Sequence, residues 1–208
     1  MDEWLQGGPT GNRTYLALPK SGTGAGVLVL HAWWGRTSVF TDVCDRLASV
    51  GYVALAPSLF RGRATAATIA EAEELRDAHD EAAVVVPVVQ AALEQLRELP
   101  AVTGRQIGVI GFSLGAYWAL NLSQGRPHDV GAAGAAYLGH FAEHDDFEPL
   151  RAVRALAAKI RAAGREVTFY VYSGTGHWFV EPNRPEYDAV AAEWAWDRSL
   201  AFLNPRLT

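Results

Sequence analysis

Gly111, Phe112, Ser113, Leu114 and Gly115 spell G-x-S-x-G between a short apolar run and a helix-like pattern. That setting puts a serine on a sharp strand-to-helix turn with its hydroxyl lifted clear of the backbone. Flanking glycines suit such a turn, where the chain is strained and neighbours pack too closely for larger side chains. The helical pattern over residues 114–122 would aim its N-terminal amides and dipole at any anion forming on Ser113. The chemistry this suggests is acyl transfer to a serine oxygen.

A serine hydroxyl is a weak nucleophile until an imidazole takes its proton, and the imidazole needs a carboxylate to fix its tautomer. His177, within Gly174-Thr175-Gly176-His177-Trp178-Phe179, supplies an imidazole on a loop freed by two glycines. Asp145 and Asp146 compete for the role of the acid; Asp146 adjoins Phe147 and would also serve as a cap for a helix starting near Pro149. The order serine, acid, histidine is the one expected of an α/β-hydrolase fold. The Leu114 amide and one amide from Ala32, Trp33 or Trp34 are the natural oxyanion donors. Trp33, Trp34, Phe112 and Trp178 are the aromatics beside such a site, able to line a substrate pocket or to plug the core.

The elements that must position these groups follow from hydropathy. Residues 26–31 and 52–56 are continuously apolar, as in strands buried on both faces, and residues 106–110 and 132–138 add two more. Residues 13–18 suit an edge strand, and residues 166–172 alternate as a late strand. Val39, Val43 and Leu47 share a helical stripe over residues 38–50, closed by Gly51. Thr68 and Glu71 form a capping box for a helix reaching about His79. Residues 80–99 carry a helical pattern that Pro87 should kink or restart. Pro149 opens a helix that Gly164 ends, and a last helix over residues 185–203 has Tyr187, Val190, Trp194 and Leu200 available for burial. Alternation of this kind predicts a mostly parallel central sheet with helices on both faces, in one domain spanning residues 1–208. Ser113, Asp145 or Asp146, and His177 then each follow the carboxyl end of a strand, where ligand sites form in such sheets.

Composition narrows the function classes. The chain has 208 residues, 50% of them apolar, enough for one substantial core. A net charge of −5 and the short Arg61-Gly62-Arg63 cluster argue against nucleic acid. The lone Cys44 falls in a helical pattern and reads as a small buried hydrophobe. Acidic residues near the start and the lack of a long apolar stretch predict a cytoplasmic protein without a membrane span. His140 and His144 read as loop histidines rather than metal ligands, and His31, ending a strand beside the site, as a locally hydrogen-bonded residue. No cofactor or metal is needed for the chemistry.

The chain resembles the dienelactone hydrolase family of α/β-hydrolases in an ordered set of segments. These are His31-Ala32-Trp33-Trp34-Gly35, Gly51-Tyr52-Val53-Ala54-Leu55-Ala56-Pro57, the G-x-S-x-G run, Ala142-Glu143-His144-Asp145-Asp146-Phe147-Glu148-Pro149 and residues 172–179, with a similar closing helix. The resemblance implies that Asp145 is the acid and that the Trp33 and Leu114 amides form the oxyanion hole. It implies a hydrolase of small-molecule esters or lactones; separately, a monomer or weak homodimer is expected.

Three residues depart from the family pattern: its nucleophile is typically a cysteine, here Ser113; a common glutamate is here Ala32; and a substrate-holding arginine after the histidine gives way to Glu181. A serine that stays protonated at neutral pH needs no carboxylate to manage its proton, so the first two departures agree. With Glu181 in place of a cation, and Arg76 on a helix as a surface residue, a neutral or apolar acyl ester is expected over an anionic dienelactone. The same triad would also serve acyl transfer or perhydrolysis, and a catalytically silent member would hold a small apolar ligand among the four aromatics.

Overall fold

The computed structural model describes residues 3–5, 14–60, 65–79, 81–125 and 135–207. It divides into two compact units, residues 1–130 with 207–208, and residues 131–206. The Arg61-Gly62-Arg63 cluster, Arg13 of the expected edge strand and residues 132–134 of another lie outside the described residues.

The first unit is built on a five-stranded sheet in the order β1-β2-β4-β3-β5. β3 (Gly24–Leu30) lies between β4 (Val53–Pro57) and β5 (Val102–Gly111), parallel to both. β2 (Thr14–Ala17) runs antiparallel to β4, and β1 (Glu3–Leu5) antiparallel to β2. Residues 25–30 of β3 are all buried, which is why that segment reads as a continuous apolar run. Leu28, Leu30, Leu55, Leu93, Leu96 and Trp118 meet in the core of this unit.

The helices of the first unit follow local signals. α1 (Ser38–Ser49) buries Val39, Phe40, Cys44, Leu47 and Ala48, and Gly51 beyond it takes φ +101°. Burial raises the Cys44 thiol pKa far above its ordinary value, in keeping with a packing role. α2 (Ile69–Asp77) begins with the capping box: Thr68 Oγ1 accepts from Glu71 N at 3.3 Å, and Glu71 Oε2 accepts from Thr68 N at 3.1 Å. Before Pro87 the chain makes a π-helical turn (Glu81–Val85), and α3 (Val86–Glu98) restarts with the proline in its first turn. A proline is harmless there because its missing N–H would have had no helical partner. α4 (Leu114–Gly125) follows β5 directly across the G-x-S-x-G run.

The second unit holds β6 (Tyr137–His144) and β7 (Val167–Gly176), paired in parallel, with α5 (Leu150–Ala162) between them and α6 (Ala189–Leu207) after them. α5 ends where Gly164 adopts φ +73°.

Two expectations need correction here. His140 and His144 lie on β6, not in a loop: the strand continues six residues past Leu138, because its pairing with β7 runs from Tyr137 to His144. A side chain at Gly139 would collide with Phe141 and Phe169, so glycine is what lets those two rings meet at 4.8 Å. The closing helix begins at Ala189, not Pro185, with Asp188 Oδ1 accepting from Val190 N and Ala191 N at 3.0 and 2.9 Å. Its buried face is Ala191, Ala195 and Leu203, whereas Val190 and Trp194 are 59% and 56% exposed and Tyr187 is exposed too. Alanines four apart let the helix backbone approach Tyr172 and Phe179, leaving the larger side chains outside.

Candidate active site

Ser113 sits at the junction of β5 and α4 with φ +49°, and among the described residues it is the non-glycine with positive φ. A left-handed serine costs roughly 1–3 kcal/mol, which the surrounding contacts must hold in place. Phe112 N donates to Leu30 O at 3.0 Å, and Gly115 N to Phe112 O at 2.8 Å. Gly115 packs so closely on the Leu30 and His31 carbonyls that any Cβ there would overlap backbone. Gly111 is hemmed in likewise by the backbone of Gly115 and Ala116. The turn is therefore docked on the carboxyl end of β3, and the two motif glycines are steric requirements.

Leu114 is the first residue of α4, so its N–H has no partner inside the helix. Trp33 lies in the loop that leaves β3 in the same unit. Its indole is buried at 7% exposure, with the Arg76 guanidinium 6.0 Å from the ring centroid. Arg76 is half-exposed and pairs with Asp77 at 2.7 Å, as expected of a residue on the last turn of a surface helix. Trp34 is 2% exposed and among the largest enclosed side chains, packed edge-on to Trp33 at 5.5 Å. It occupies a core position behind the loop. Phe112 is partly buried and meets Phe40 edge-on at 5.2 Å.

The second unit brings Asp145 and His177 together. β6 ends at His144 and β7 at Gly176, so the two residues directly follow the ends of neighbouring parallel strands. His177 Nδ1 donates to Asp145 Oδ2 at 2.7 Å, with side chains 11% and 4% exposed. Asp145 Oδ1 accepts from Phe147 N and Glu148 N, each at 2.9 Å. Burial alone would raise this carboxyl's pKa, but the bond from His177 and the two backbone donors outweigh it and leave the pKa lowered. Asp146, the competing acid, is exposed.

The end of β7, which leads directly into His177 and is strand where the sequence predicts a loop, is fastened on both sides. Gly174 N donates to Glu143 Oε2 at 2.9 Å, and Thr175 Oγ1 to Tyr172 O at 2.8 Å. Phe147 lies 4.9 Å from the His177 ring and 5.4 Å from Trp178, itself edge-on to His177 at 5.4 Å. Phe147 is 49% exposed, an aromatic on the imidazole that sequence reading used only as a neighbour of the acid. Its position follows from the turn that caps Asp145.

Glu181 is the other group that only coordinates could assess. It is 3% exposed, its N–H donates to Trp178 O at 2.9 Å, and Arg184 Nε stands 3.9 Å from Oε2. Burial raises its pKa to about 7, reinforced by Glu186 and opposed by Arg184 and His177. His140 is bonded to Tyr172 Oη at 2.8 Å and Ser199 Oγ at 3.0 Å, and burial lowers its pKa to about 4. No cluster of three metal-ligating side chains occurs among the described residues. No helix there is long and apolar enough to cross a membrane.

Parallel strands joined through helices, with a serine on a strand-to-helix turn, are features of an α/β-hydrolase fold. The chain belongs to the dienelactone hydrolase family, a family of ester and lactone hydrolases whose profile matches residues 13–139 and 130–207. Among its relatives is protein usf of Aquifex pyrophilus, 29% identical over 219 residues that cover 94% of each chain. Its fold is similar to that of the dienelactone hydrolase-like promiscuous phosphotriesterase P91 from metagenomic libraries, with a TM-score of 0.85, 20% identity and coverage of 100% and 98% of the two chains. Thermogutta terrifontis esterase 2, phosphonylated by cyclosarin, is similar too, with a TM-score of 0.72, 15% identity and coverage of 99% and 93%.

Proposed function

We propose that this protein hydrolyses neutral carboxylic esters or lactones through an acyl-enzyme on Ser113. The observation that carries the reading is the left-handed Ser113 at the β5–α4 turn, a strained conformation that puts a serine at a helix N-terminus. The Asp145–His177 pair supports it, being an imidazole whose Nδ1 proton is held by a carboxylate, the tautomer in which Nε2 is the basic nitrogen. The family match continues through both compact units, in support of one catalytic domain.

Ser113 Oγ attacks the carbonyl carbon while His177 Nε2 takes the hydroxyl proton. The carbonyl oxygen, now an anion, receives the Trp33 and Leu114 N–H groups. As the intermediate collapses, the ester oxygen leaves as an alcohol with the proton from His177. Water then attacks the acyl-serine, with His177 again removing a proton, and the acid product departs. Phe112 and Trp178 border the acyl group, with Trp34 as the packed wall behind the loop. A glutamate, Glu181, where a substrate-holding cation would stand supports a preference for neutral acyl groups.

The test is a panel of aryl esters of graded acyl length, run on wild type and Ser113→Ala. The variant is expected to lose about 10⁴- to 10⁶-fold in turnover, as removal of a nucleophile does in comparable triads. Near-wild-type ester cleavage by Ser113→Ala would end the proposal, as would failure of the folded wild type to react with a fluorophosphonate.

A further inference from the structure

His31 ends β3 with its side chain fully enclosed and both ring nitrogens spent on backbone. Leu59 N lies 2.9 Å from Nε2. A backbone N–H can only donate, so Nε2 carries no proton and the ring's hydrogen sits on Nδ1. Nδ1–H then donates to Ala32 O at 2.6 Å. The tautomer is fixed by geometry alone.

The acceptor of that bond is the important atom. The Ala32 carbonyl and the Trp33 N–H belong to one planar trans peptide, so they point in opposite directions. Holding the oxygen therefore aims the N–H. Ala32 O is gripped twice, by His31 Nδ1 and by Gly35 N at 3.2 Å. Without the histidine the peptide plane keeps only the longer of the two bonds, and its rotation is the motion that would misdirect the amide.

The ring that does the holding is itself clamped. Phe60 lies 5.3 Å and Phe40 6.0 Å from it, and Phe40 packs on Phe112, the residue before Ser113. The His31 carbonyl meanwhile abuts Gly115, and the Leu30 carbonyl takes the Phe112 N–H. The loop bearing Trp33 and the turn bearing Ser113 and Leu114 are thus referenced to the same two residues at the end of β3.

We infer that His31 is a positioning residue for the oxyanion hole, orienting the Trp33 N–H through the Ala32 carbonyl. The inference rests on the proposed role of that N–H and goes beyond it by naming what sets its direction. His31 takes no part in proton transfer. Both nitrogens are engaged, and burial, reinforced by Arg36 and only partly offset by the Ala32 bond, lowers its pKa to about 4.

Two substitutions separate this role from general support. In His31→Gln the carboxamide reaches the place of Nε2 and can still accept from Leu59, but the donor to Ala32 is lost. In His31→Asn the amide nitrogen falls near Nδ1 and keeps the Ala32 bond, while Leu59 loses its acceptor. With a neutral aryl ester, H31Q is expected to lower kcat on the order of 10- to 100-fold with KM nearly unchanged, part of the cost of removing an oxyanion donor outright. H31N is expected to recover most of that loss, even where its thermal stability falls as far as that of H31Q.

Equal kcat losses in both variants, or a loss confined to KM, would overturn the inference. Should neither variant fold, nitrogen NMR of the wild-type imidazole decides. A neutral Nδ1–H ring from about pH 5 to about 9 supports it, and an Nε2–H tautomer or a titration in that range overturns it. A wild type that cleaves no ester removes the hydrolase reading and this inference with it. An active wild type, an inert Ser113→Ala and a fully active H31Q remove the inference alone.

Discussion

Replacing Asp145 by asparagine changes one atom and should be worse than deleting the side chain. In the wild type, Oδ1 accepts two backbone N–H groups, from Phe147 and Glu148, and Oδ2 accepts from His177 Nδ1. An asparagine keeps its single oxygen on the two backbone donors, because turning it away would set an NH₂ against both N–H groups. Each bond lost in that way costs about 0.5–1.5 kcal/mol. The amide NH₂ therefore faces His177, which must answer with a bare Nδ1 and move its proton to Nε2, the atom that the proposed mechanism needs to receive the Ser113 proton.

The size of the effect follows from the same contacts. Losing a buried, charge-assisted bond to the developing imidazolium removes about 1.5–3 kcal/mol. Restoring the productive tautomer requires giving up both backbone bonds to the asparagine oxygen, a further cost of about 1–3 kcal/mol for the two. Together they amount to about 2.5–6 kcal/mol, or roughly a 10²- to 10⁴-fold fall in kcat. Asp145→Ala loses only the first contribution, since its imidazole can adopt either tautomer, and should fall about 10- to 10²-fold. Steady-state cleavage of a neutral aryl ester at neutral pH measures both. The reasoning fails if Asp145→Asn keeps more than about a tenth of wild-type kcat, or if it outpaces Asp145→Ala.

Two further outcomes are expected. Glu181 has its pKa raised from 4.5 to about 7 by burial, so folding disfavours its ionised form. This cost is absent below the unfolded value of 4.5, grows as pH rises, and is complete above about 7, where it amounts to about 3 kcal/mol. Glu181→Gln should therefore flatten the decline in denaturant-measured stability across that window, and an unchanged slope would place the pH dependence elsewhere. Gly115→Ala puts a methyl group onto backbone carbonyls that cannot move without breaking β3, so it should destabilise the fold by more than about 2 kcal/mol and cut activity with it. Wild-type melting temperature and turnover in that variant would refute the steric account.

Signals confined to a few neighbouring residues were legible in the sequence. The Thr68 capping box, the left-handed Gly51 and Gly164 and the restart at Pro87 depend on local backbone chemistry, and each is where the pattern predicts it. The serine turn is legible for the same reason. The Tyr137–His144 strand was not, because Gly139, His140 and His144 look like loop residues until β7 lies beside them. Gly139 makes room for rings from two strands, and His140 finds its partners in Tyr172 and Ser199. The face of α6 misled for a related reason: Trp194 and Val190 look like core residues, yet the helix packs by its alanines. Long-range pairing and close approach decide such positions, and neither leaves a period in the sequence.

The choice between Asp145 and Asp146 shows what the fold adds to residue types. Both are acids at the end of β6, and side-chain chemistry cannot separate them. The turn at Phe147 and Glu148 folds back so that two N–H groups converge on one carboxylate oxygen, and Asp145 holds the position to receive them. Those donors stabilise its charge where burial opposes it, and they leave the second oxygen aimed at His177. The logic at the other half of the machinery is the same. His31 and Gly35 spend their hydrogen bonds on Ala32 O, and the useful result is the direction of the N–H on the far side of that peptide. In both places a backbone group is satisfied in order to aim its neighbour. Catalytic power in a site of this kind resides in such fixed dipoles, which need no reorganisation when charge develops.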